Sequence, residues 1–119
     1  MAIEVELNIF SGRRNPIWTL TPAQDDVFLG KLTQSRAQPA PDDQAAVKAP
    51  ILGYRGFDVR AAEDERLPDP LTIFGGVIRQ GETRFPDPDR GLERWLMSTA
   101  PSQIDEKVVQ VVERDLERT

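Results

Sequence analysis

The 119-residue chain contains no cysteine and no histidine. Their absence excludes disulfides, thiolate and imidazole metal ligation, and the Ser-His-Asp and Cys-His nucleophile systems. Long hydrophobic runs are missing as well. The longest mostly apolar stretch, Leu71 to Ile78, is interrupted by Thr72 and two glycines, and it falls far short of the roughly 20 residues a membrane helix requires. Positive charge is in deficit: 15 Lys and Arg stand against 20 Asp and Glu, a net of −5. Such a balance disfavours non-specific binding to nucleic acid or to an anionic membrane. Lysine itself is scarce, occurring only at Lys31, Lys48 and Lys107. The plain account of that bias is codon usage; the alternative, the fitness of arginine for bidentate anion contacts, applies at most to a few positions.

What is present fits one compact domain, long enough to bury about two thirds of its surface. Ile3, Val5, Leu7 and Ile9 alternate with Glu4, Glu6 and Asn8, the period-two pattern of a strand with one wet face. The chain reads directly into that alternation, without a basic n-region and apolar h-region, so a cytoplasmic location is expected. Residues 11–16 form a loop, and Ile17-Trp18-Thr19-Leu20 allows a short strand. Thr21-Pro22-Ala23-Gln24 then has the grammar of a helix start, with a capping Thr, Pro at the first helical position and Gln three residues after the cap. The helix is expected over 22–35.

Residues 37–50 carry three prolines among Ala, Asp and Gln, a composition suited to a mobile connector. A second strand is predicted over 52–60, with Gly53 and Gly56 suggesting a bulge or close backbone approach around Tyr54 and Arg55. A third spans 71–79, interrupted at Gly75-Gly76, and a fourth lies near 83–85. Asp87 before Pro88 marks a helix start, and Leu92, Trp95, Leu96 and Thr99 recur at helical spacing over 88–99. Ser102, with Asp105 three residues later, recaps a last helix over 103–118 whose stripe is Ile104, Val108, Val111, Val112 and Leu116. The expected fold is therefore α+β: one domain, 1–119, with a small, mainly antiparallel sheet covered by about three helices.

Two constellations carry candidate chemistry. Arg13, Arg14, Asn15 and Trp18 place two guanidinium forks, an amide and a flat indole on a loop that Gly12 and Pro16 constrain; such forks suit carboxylate or phosphate. Alternatively Trp18 is core, and the arginines are solvated or cover Glu4 and Glu6. Tyr54 and Arg55 lie between two glycines in Leu52-Gly53-Tyr54-Arg55-Gly56-Phe57, and here the alternative is a bulged strand whose Arg55 pairs with an internal carboxylate. Together these segments resemble small uncharacterised microbial proteins carrying FSGRxNPxW and GYRGF segments. That family has no assigned activity, so the resemblance implies a shared surface and no reaction.

The carboxylate clusters fit structural roles. Asp87 suffices as a cap, Asp89 suits the helix dipole, and the Asp87-x-Asp89 spacing lacks the third oxygen ligand of a calcium loop. No metal site and no cofactor are expected, since neither a P-loop nor a dinucleotide fingerprint occurs. The sequence thus leads to a non-catalytic binding or accessory module that meets a protein or peptide partner, or a small anionic ligand, through Arg13, Arg14, Asn15, Trp18, Tyr54 and Arg55. Nucleic acid and membrane are not expected partners, and a homodimer is compatible. The alternative is a small cofactor-free enzyme in which Arg14 and Arg55 hold a carboxylate while Tyr54 or an acidic residue moves a proton.

Overall fold

A computed structural model describes residues 3–9, 14–38, 54–61, 70–102 and 104–117. Its elements run β1 (Glu4–Leu7), β2 (Ile17–Thr19), α1 (Pro22–Arg36), β3 (Phe57–Arg60), β4 (Leu71–Phe74), β5 (Val77–Gln80), β6 (Thr83–Pro86), a 3₁₀ turn at Pro88–Arg90, α2 (Gly91–Ser98) and α3 (Glu106–Leu116). The six strands form one antiparallel sheet in the order β2-β1-β3-β4-β5-β6. With three helices beside it, this is the α+β architecture expected from the sequence.

Alternation decides which face each strand buries. Ile3, Val5 and Leu7 enter a core with Phe57, Val59, Ile73 and Ile78, against Phe28, Leu32, Leu92, Leu96, Val108, Val112 and Leu116 from the helices. Each such side chain contributes about 1.5–3 kcal/mol by leaving water. The opposite face is polar, and the register lines up Glu6, Asp58, Thr72, Arg79 and Arg84 as one row across five strands. Helix α1 begins as the sequence dictates: the Thr21 hydroxyl accepts from the Gln24 amide (3.2 Å), and the Gln24 side chain accepts from the Thr21 amide (2.9 Å).

Several elements differ from the sequence reading, and among the described residues the strand expected over 52–60 spans Phe57–Arg60. The strand expected over 71–79 is two strands, because Gly75 and Gly76 adopt φ of 66° and 89° and so close a two-residue turn of the kind a tight hairpin needs. The helix expected from residue 88 starts at Gly91, after Asp89 and Arg90 take φ of 56° and 54°. The last helix starts at Glu106, capped by Asp105 and not by Ser102: the Asp105 carboxylate accepts from the Lys107 amide at 2.9 Å. Most of the expected connector, residues 39–50, lies outside the described residues, as do Arg13 and Gly53.

Candidate functional site

Residues 7–9 run between the two segments singled out in the sequence. On one side, the Leu7 amide donates to the Pro16 carbonyl (2.9 Å) and the Ile9 amide to Asn15 Oδ1 (3.1 Å). On the other, the Asn8 amide donates to the Gly56 carbonyl (2.9 Å), and the Asn8 carbonyl accepts from the Arg55 amide (2.8 Å). Asn8 therefore faces two consecutive residues, which is a β-bulge. By shifting the alternation, the bulge lets Tyr54 and Phe57, three positions apart, both enter the core with their rings 6.1 Å apart. Arg55 is left exposed.

Arg14, on the other flank, is exposed too. Adjacent strands lie about 4.8 Å apart, so backbones flanking one strand are about 10 Å apart. Asn15 fixes the loop that carries Arg14. Besides holding the Ile9 amide, its Nδ2 donates to Glu6 Oε2 at 2.9 Å. That bond holds the Glu6 carboxyl below the usual glutamate range; partial burial works the other way, and Arg60, 3.1 Å away, reinforces the lowering. A carboxylate whose folded-state pKa is depressed stabilises the fold above its unfolded pKa and loses that contribution as pH falls through the folded value. Urea unfolding of Glu6→Gln should therefore show lower stability than wild type at pH 7 and a difference that closes as the carboxyl protonates under acid; a gap that widens under acid contradicts the assignment.

The remaining two sequence candidates are placed inside. Trp18 is buried, packs edge-on against Phe57 at 6.2 Å, and donates its Nε1–H to Thr99 Oγ1 at 2.9 Å. Tyr54 is fully buried and donates its hydroxyl proton to Glu93 Oε2. Burial pushes that hydroxyl's pKa up, and the charge of Glu93 acts in the same direction. Neither polar atom faces the solvent around Arg14 and Arg55.

Behind Tyr54 lies a network that the sequence reading did not find. Arg90, Glu93 and Asp115 are at most 2 % exposed. The Arg90 guanidinium donates to both Glu93 oxygens (2.9 and 2.7 Å), to Asp115 Oδ2 (2.7 Å) and to the Asp115 carbonyl (2.6 Å). Glu93 Oε1 also accepts from the Gly75 amide at 3.0 Å. Burial works against the charge on Arg90, but the hydrogen bonds and charges of Glu93 and Asp115 outweigh it and raise its pKa. Phe74 closes one side, its ring centre 5.4 Å from the guanidinium carbon. Asp87 seats the helix that carries Glu93, accepting from the Leu92 (2.8 Å) and Glu93 (3.1 Å) amides. Burial raises its pKa, and those two amides oppose the rise. One signal for this network was present: Asp115 lies three residues after Val112, on the apolar stripe of α3, where an unpaired charge is not tolerated.

A separate cavity of about 560 Å³ opens between α2 and α3 over Met97, Ile104, Val109 and Leu116, with Arg94, Glu113 and Glu117 also lining it. None of its lining residues belongs to the 14–18 or 54–57 segments. Among the described residues, no helix is long and apolar enough to cross a membrane. No protein-family model, no curated protein and no solved structure matches this chain.

Proposed function

We propose that this chain is a non-catalytic binding or accessory module that recognises an anionic or peptide-like partner through Arg14 and Arg55. The observation carrying the proposal is the convergence of two segments, with Arg14 and Arg55 41 positions apart in the sequence, onto opposite flanks of residues 7–9, each with an exposed arginine. The flanks are fixed before any partner arrives, by Asn15 on one side and by the bulge on the other, which lowers the ordering cost of binding. Tyr54, Trp18 and the network behind them serve as the scaffold.

The test is an NMR titration of the ¹⁵N-labelled protein with hexaglutamate and, separately, with inorganic phosphate. Shifts confined to the amides of residues 7–9, 14–15 and 54–56, weakened at least about tenfold in an Arg14→Ala, Arg55→Ala double variant, are expected where two charge-assisted contacts are lost. Equal shifts in wild type and variant would remove both arginines from the site.

A further inference from the structure

The two edges of the sheet are built differently. In the β1–β2 ladder, Leu7 bonds to Pro16 and Ile3 to Leu20, and the register pairs Glu6 with Ile17, Val5 with Trp18 and Glu4 with Thr19. Antiparallel ladders bond at alternate pairs. Pro16, Trp18 and Leu20 therefore turn their backbone groups towards β1, while Ile17 and Thr19 turn both N–H and C=O to the outer edge. In the β5–β6 ladder the Asp87 amide donates to the Gly76 carbonyl and Arg79 pairs with Arg84, Val77 with Pro86, so by the same alternation Arg84 and Pro86 face outwards. That edge carries the usual protection against strand addition, a charge and a residue with no N–H. Edge β2 has neither, and its first residue, Ile17, is 51 % accessible.

We infer that β2 is an interaction edge, and that its occupant is β2 of a second copy of this chain, paired antiparallel across a two-fold axis at Trp18. The spacing of the outward groups is self-complementary. With Trp18 opposite its own counterpart, Ile17 of each copy faces Thr19 of the other, and both pairs fall at hydrogen-bonding positions, giving four inter-chain bonds and a continuous sheet through two molecules. Ile17 then lies beside the partner's Thr19 on one face and loses its exposure. The register brings no like charges together at the contact, since Arg14 is four positions from the axis. Three residues a side make a small interface, so association is weak and concentration-dependent. Each copy has a net charge of −5, so added salt strengthens association by screening the repulsion. This inference is independent of the binding proposed at Arg14 and Arg55.

Sedimentation velocity from about 10 μM to about 1 mM, the range in which small interfaces dissociate, combined with hydrogen exchange at single amides, decides the matter. The expected result is a reversible dimer whose formation slows exchange at Ile17 and Thr19 but leaves Arg84 unchanged. Thr19→Pro removes an outward N–H without touching the β1 ladder, and Ile17→Lys places a charge on the edge; each should weaken the dimer at least about tenfold. Should Thr19→Pro fail to fold, Ile17→Lys and the wild-type exchange pattern still decide. A monomer at every concentration, or a dimer that both variants leave intact, overturns the inference. The monomer outcome would leave the edge to an extended segment of a different protein.

Discussion

Replacing Glu93 by alanine should lower the free energy of unfolding by about 3–5 kcal/mol, the usual cost of removing one partner from a buried ion pair. The domain as a whole is held by only about 5–15 kcal/mol, so the variant should be partly unfolded at physiological temperature. The size follows from what the substitution strands. Glu93 is fully buried, and its two oxygens satisfy the Arg90 guanidinium, the Tyr54 hydroxyl and the Gly75 amide at once. Alanine leaves all three donors without that acceptor, and Arg90 keeps only Asp115. Arg90 also occupies a left-handed conformation, φ 54°, at a cost of order 1 kcal/mol that the network holds in place. Tyr54→Phe is the calibrating variant, because Glu93 Oε2 keeps its bond from Arg90 when the hydroxyl goes, and a loss of about 1–2 kcal/mol is expected. Urea denaturation followed by circular dichroism measures both. Equal, small losses in the two variants would show that the Arg90–Glu93–Asp115 network does not anchor the fold.

Gly56→Ala should be the second severe variant, for a backbone reason. A Cβ at residue 56 would stand 2.3 Å from the Ile73 carbonyl oxygen and 2.6 Å from Phe74 Cβ, both fixed parts of the neighbouring strand, so no side chain can swing away to make room. The position also has φ of +96°. Main-chain overpacking and left-handed strain each cost about 1–3 kcal/mol, and their sum approaches the stability of the domain. Gly81 supplies the control: its φ is +61°, but a Cβ there meets nothing within 4 Å. Gly81→Ala should therefore cost only the conformational part, about 1 kcal/mol. Thermal melts of the two variants side by side separate close approach from torsion, and similar melting temperatures would contradict the packing at the bulge.

The consequence for function runs through the same glycine. Residue 56 is the second residue of the bulge, and the bulge is what points Arg55 outwards while Tyr54 and Phe57 go in. Stability and the candidate site therefore share a support, and binding measured in a Gly56 variant would report both. Arg14 and Arg55 are the positions where the proposed binding can be tested without entering the core, since both are exposed.

Legibility varied with how local the cause is. The capping box of Thr21 and Gln24 uses contacts three residues apart, and the helix it starts ends one residue from the expected position. Strand β1 declared its buried face through strict alternation. By contrast, Gly75-Gly76 reads equally as an interruption within a strand or as a turn between two, and only pairing of Phe74 with Val77 selects the turn. Asp87 was recognised as a cap, but the left-handed residues between it and α2 depend on a guanidinium reaching an acceptor 25 positions away at Asp115.

By itself the sequence determined the chemistry that is ruled out, the class of fold, the inner and outer faces of its periodic segments, and two arginine-bearing segments, because composition, periodicity and capping act within a few residues. The tertiary structure alone decided that those segments flank the same strand end, that Tyr54 turns inward to Glu93 while Arg55 turns outward, and that one sheet edge is protected and the other open. Each of these depends on which strand lies next to which, and in which register, and that is set by burying the whole core at once.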